Sequence, residues 1–123
     1  MEIRVLLIIT AIFLTASNAI GHEVPKGPHG GRVVEAGQVH VELVAKDNVV
    51  EVYLTNNADK ALPANGYKGV AILLIGGKSQ RITLEPASDN LLIGKATEAL
   101  KGAPKGAVRL TAPDGKTSQA QFN

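Results

Sequence analysis

His22, His29 and His40 fall within nineteen positions of one another, and none of the 83 residues that follow carries an imidazole. Imidazole ligates divalent transition metals and titrates near neutrality, so the cluster points first to metal binding. His29 sits in Pro25-Lys26-Gly27-Pro28-His29-Gly30-Gly31, a stretch almost free of bulky side chains. Glycine there lets the backbone approach a ligand closely, while the same residues also suit a plain extended lead-in to a strand. His40 alternates with Gln38 and Glu42, out of phase with Val39, Val41 and Leu43. On a strand, His40 and Glu42 therefore point away from the core. A solvated face with Glu42 paired to Arg32 across a hairpin explains this pattern without a ligand. A metal site drawing on His29, His40 and Glu42 explains it with one.

The available ligand atoms narrow the metal. The chain has no cysteine, and its single methionine is Met1. Once Met1 leaves with a leader, no soft sulfur remains to select Cu(I), and imidazole, carboxylate and backbone nitrogen suit Cu(II), Ni(II) or Zn(II). His22 offers a site of its own. A cut after Ala19 exposes Ile20-Gly21-His22, in which a free amine, two amide nitrogens and the imidazole can wrap Cu(II) or Ni(II) in a square plane.

That cut is expected from the first residues. Arg4 precedes an apolar stretch from Val5 to Leu14, followed by the small and polar residues 15–19. This is the order of a signal peptide over residues 1–19, and the stretch falls short of the roughly 20 apolar residues a membrane span needs. Ser17 with Ala19, or Ala19 with Gly21, satisfies the small-residue rule for cleavage, the second cut leaving His22 at the terminus. The expected product is exported to the periplasm and keeps no stable membrane anchor. It consists of a flexible Gly/Pro/His segment, 20–31, and one domain, 32–123.

The elements that position these residues read as strands. Apolar residues recur at every second position in Val39, Val41, Leu43 and in Val50, Val52, Leu54, with Lys46-Asp47-Asn48 between them. A hairpin pairing Ala45 with Val50 keeps both sets on one face. Gly76-Gly77 and Asp114-Gly115 separate two further pairs of runs, and both accept the backbone angles of tight turns. Arg32–Ala36 and Leu91–Lys95 are shorter candidates. Seven or eight short strands predict an all-β fold, a small antiparallel β-sandwich or partly open barrel. Asn56 to Gly69 is expected to cross between sheets. The parity of the runs places Val41, Val52, Ile72, Leu84 and Leu110 inside.

Composition excludes several classes of function. Thirteen basic residues stand against eleven acidic ones and are scattered along the chain, which argues against a nucleic-acid partner. Two Tyr, two Phe and no Trp provide no stacking platform. There is no cysteine nucleophile, no Gly-x-Ser-x-Gly elbow, no phosphate loop and no His-Glu-x-x-His, so a non-enzymatic role is expected.

Gly27-Pro28-His29-Gly30-Gly31-Arg32-Val33-Val34, followed by Val39-His40-Val41-Glu42-Leu43, resembles the His-Gly-Gly stretch of periplasmic adaptor subunits of heavy-metal efflux pumps. It is also similar to short stand-alone periplasmic proteins that share the stretch. The likeness to the stand-alone proteins extends over Gly69 to Leu84, Pro86 to Gly94 and the Asp114-Gly115-Lys116 turn. The adaptors match only around His-Gly-Gly, and this chain lacks their coiled-coil hairpin and lipoyl-like domain. The resemblance implies a periplasmic β-sandwich that handles copper or another heavy metal, with His29 and His40 in ligand roles. The leading expectation is a metal-binding, metal-resistance accessory protein linked to an efflux component. The alternative is an interaction module that docks on an envelope partner without binding metal.

Overall fold

The computed structural model of the protein describes residues 25–123, so the expected leader, both expected cut positions and His22 lie outside the described residues. The strands are β1 (Arg32–Ala36), β2 (Val39–Lys46), β3 (Val49–Thr55), β4 (Lys68–Ile75), β5 (Lys78–Ser88), β6 (Leu91–Lys95), β7 (Lys105–Thr111) and β8 (Thr117–Phe122). All eight join one antiparallel sheet in the order β1-β2-β3-β6-β5-β4-β7-β8. The long β5 carries the chain around the curve. Its first part pairs with β4 and its end with β6, with a register shift between Pro86 and Ser88 where proline has no N–H to give.

The sheet curls until its two edge strands adjoin, giving a nearly closed barrel. At one end of this seam Gly37 faces Ser118, where a Cβ on the glycine would lie 3.7 Å from that of the serine. At the other, Arg32 donates to the carbonyls of Asn123 (2.7 Å) and Pro104, and its guanidinium sits 5.5 Å from the Phe122 ring centroid. Side chains, not a hydrogen-bonded ladder, hold the seam. The Arg32 to Glu42 pairing considered from sequence does not form. Register places Arg32 opposite Leu43 and Val33 opposite Glu42, so Arg32 and Glu42 lie on opposite faces.

Short turns set most of the register. Ala45 pairs with Val50 around Asp47-Asn48, as the alternation predicts. Gly76 and Gly77 (φ 57° and 80°) make the two-residue turn that pairs Ile75 with Lys78, and only glycine takes both angles without strain. Residues 56–67 link β3 to β4.

The core is aliphatic, with Phe122 as its one ring. Val41, Val50, Val52, Leu54, Leu73, Leu92 and Val108 are fully buried. Ile72 is the exception to the expected inward set: it is half-buried on the outer face, while Ala71 and Leu73 enter the core. Strand β4 is apolar on both faces, so alternation alone does not fix its orientation. The turn decides it, because Ile72 lies opposite Arg81 and Ala71 opposite Ile82. Turning Ile72 inward would bury the guanidinium.

Candidate functional site

Two of the rows of outward side chains on strands β1, β2 and β3 bear on the site. Val33, Glu42 and Tyr53 form one, and Glu35, His40 and Thr55 the other. Residues 25–31, read from sequence as a flexible lead-in, form a hydrogen-bonded turn folded over the first row. Gly30 N–H donates to the Gly27 carbonyl at 3.0 Å, Gly27 N–H to Gly31 at 2.8 Å, and Val33 N–H to Pro25 at 2.9 Å.

Glu42 is what the turn folds around. It points out of the core, yet it is only 4% exposed and is the one buried charged side chain among the described residues. Its Oε2 accepts from the backbone N–H groups of His29 and Gly31, both at 2.9 Å, and its Oε1 lies 2.8 Å from His29 Nδ1. Two backbone donors and an imidazole compensate the buried carboxylate, as burial of a charge requires. The glycines make the approach possible: a Cβ on Gly27 would collide with the Glu42 carboxylate, and one on Gly31 with the Leu43 carbonyl.

This contact orients His29. A carboxylate only accepts, so the imidazole donates from Nδ1, and in the neutral ring the lone pair is on Nε2. The ring stacks on Tyr53, with centroids 3.5 Å apart and planes 6° from parallel. Tyr53 in turn donates its hydroxyl to Glu51, which Lys46 Nζ approaches at 3.4 Å. The imidazole is thus fixed at its edge by Glu42 and on its face by Tyr53, and its side chain is 41% exposed.

His40 has different company. Its Nε2 lies 3.3 Å from Glu35 and its Nδ1 3.6 Å from Asp59, and both carboxylates are well exposed. His29, His40, Glu35, Glu42, Tyr53 and Asp59 all line one cleft of about 440 Å³. The structure therefore brings His29, His40 and Glu42 to one place. It does not gather three or more His, Asp or Glu side chains into a metal-binding group among the described residues. A larger groove of about 1020 Å³, beside Arg32 and Gly102–Pro104, has walls poorer in titratable groups, and Arg32 is committed to carbonyls there.

Known family models, curated proteins and solved structures give no match.

Tyr53 and Glu51 escaped the reading of the sequence, although the signal was present. Pairing Ala45 with Val50 places Tyr53 directly opposite Glu42, on the same face. The hydrogen bond to Glu51, then burial, then the charges of Glu51 and Glu42 push the Tyr53 hydroxyl up from 10.0 to about 12. Because the folded value is the higher one, the stabilisation is complete below about pH 10 and is lost as the pH rises through about 12. In a Tyr67→Phe background, ultraviolet absorbance should report tyrosinate forming near pH 12. Adding Glu51→Gln should bring the transition down toward 10, and an unchanged titration would break the assignment.

Proposed function

We propose that the protein is a non-enzymatic, exported metal-binding accessory that holds a divalent ion, Cu(II) for preference and Ni(II) or Zn(II) by the same chemistry, through His29 Nε2. The observation carrying this reading is the Glu42–His29 contact. A buried carboxylate that fixes one ring nitrogen and frees the other is the usual support behind a ligating histidine. Glu42 then acts as the orienting partner and does not bind the ion itself. His40 lines the same cleft, and His22, three positions before Pro25, is the next imidazole along the chain. The His-Gly-Gly resemblance supports a periplasmic role in metal resistance beside an efflux component.

Metal titration of protein beginning at Ile20 tests this. An ion held by the folded site adds RT ln(1 + [L]/Kd), about 2.7 kcal/mol at a hundredfold excess over Kd, which raises the melting temperature of a small domain by roughly 10 °C or more. His29→Ala should abolish most of that shift. Binding confined to Ile20-Gly21-His22 would survive unfolding, barely move the melting point and disappear on acetylation of the amine. That result would move the site from the fold to the terminus. No thermal shift and no amine-dependent Cu(II) binding would end the metal reading.

A further inference from the structure

The far side of the barrel carries an unassigned surface. On β4 the outward residues are Lys68, Val70, Ile72 and Leu74, and on β7 they are Lys105, Ala107, Arg109 and Thr111. On β5, Ser79, Arg81 and Thr83 lie opposite Leu74, Ile72 and Val70. Strand β8 completes the face with Thr117, Gln119 and Gln121. Lys68, Arg81, Lys105 and Arg109 are exposed, and no carboxylate occupies any of these outward positions; the nearest are at the margins, Glu85 beyond Thr83 on β5 and Glu98 beside Leu74. None of the four forms an ion pair among the described residues; Arg109 makes a single long contact, 3.4 Å, to Gln119. Between them runs the apolar line Val70, Ile72 and Leu74, and Leu74, at 52% exposure, is the one large exposed apolar side chain among the described residues.

The outward positions of β1 to β3 carry by contrast three carboxylates, Glu35, Glu42 and Glu51, against one cation, Lys46, which pairs with Glu51. Charge is therefore segregated across the molecule, although the chain as a whole is only +2. A water-facing sheet normally alternates apolar and polar residues, so an apolar line on the outer face of a central strand marks a surface meant to be covered.

We infer that this face docks on an anionic phospholipid surface, with Arg81, Arg109, Lys105 and Lys68 among the headgroups and Leu74 entering the interface. Lysine is depleted from the centres of protein interfaces although arginine is enriched there, and no ion pair among the described residues fixes the direction of any of the four cations. Long cations on one side of the barrel, without ion-pair partners that orient them, match a fluid array of phosphates, where each Lys or Arg near the membrane is worth roughly a fivefold change in partitioning. The metal-facing side with Glu42 and His29 would then point away from the bilayer.

Co-sedimentation with large unilamellar vesicles tests this, using protein that begins at Ile20, since all eight strands and the core lie between Arg32 and Phe122. A chelator is present throughout, so failure of the metal reading does not affect the result. Vesicles of phosphatidylcholine with phosphatidylglycerol should bind the protein, vesicles of phosphatidylcholine alone should not, and added salt should release it. Arg81→Gln with Arg109→Gln should weaken binding roughly 25-fold, and Leu74→Ser should weaken it further. All three residues are exposed, and an unchanged unfolding midpoint will show that the variants fold. Lys60→Gln with Lys95→Gln removes the same charge elsewhere and should leave binding intact. Equal binding to neutral vesicles, or equal weakening by the Lys60 and Lys95 pair, would overturn the proposal. Binding to soluble polyglutamate, sensitive to Arg81 and Arg109 and without any binding to vesicles, would overturn it in favour of an acidic protein partner.

Discussion

Replacing Glu42 by alanine is expected to lower the stability of the domain by about 3 kcal/mol, at the lower end for breaking a buried charged pair, because the His29 side chain keeps some contact with water. The carboxylate accepts three hydrogen bonds, two of them from backbone N–H groups that the folded turn offers to no other acceptor. Its loss leaves those donors orphaned beneath residues 25–31 and removes the group that the turn wraps. In a domain of this size the melting temperature should fall by more than about 10 °C. Thermal unfolding monitored by circular dichroism measures this. Glu42→Gln separates structure from ligand chemistry. An amide oxygen can still accept from the backbone, but the amide nitrogen beside His29 Nδ1 donates, and so drives the ring proton to Nε2. That variant should keep most of its stability while divalent-metal affinity drops by 10- to 100-fold, the range for loss of an orienting partner. A Glu42→Gln protein that binds metal as tightly as the parent would remove Glu42 from the proposed site.

Val52→Asp is expected to abolish folding. Val52 is fully buried, between Leu43 on β2 and Leu92 on β6, and is surrounded by the aliphatic core. No described cation or hydrogen-bond donor faces that position across its ladders. An unpaired carboxylate there costs several kcal/mol against a total stability of about 5 to 15 kcal/mol, and it also forfeits the burial of the valine. The variant should be insoluble or should show no cooperative transition on denaturant titration. A soluble Val52→Asp protein that unfolds cooperatively would mean that the inward register of β3 is wrong. Val52→Ala, which leaves a small cavity and no charge, should remain folded with a reduced midpoint.

The sequence by itself determined the all-β class, the pairing of Ala45 with Val50, the Gly-Gly turn, and the outward placement of His40 and Glu42. Each of these follows from local rules: a two-residue side-chain period, and turns that demand positive φ. It left the orientation of β4 open, because Val70 to Ile75 is apolar on both faces. The tertiary structure decided it by keeping Arg81 out of the core, and the residues left outside by that choice became the apolar line of the basic face. The histidines show the same division. Their spacing marked them as candidates, and composition narrowed the metal to divalent ions. Only the folding of residues 25–31 over β2 and β3 showed that Glu42 is a buried anchor and that Tyr53 supports the His29 ring, and only the tertiary structure placed His40 between Glu35 and Asp59. Those contacts join residues up to 24 positions apart, as His29 and Tyr53 are. They depend on which side chains close around one carboxylate that must have partners to be buried, a condition that no local pattern encodes.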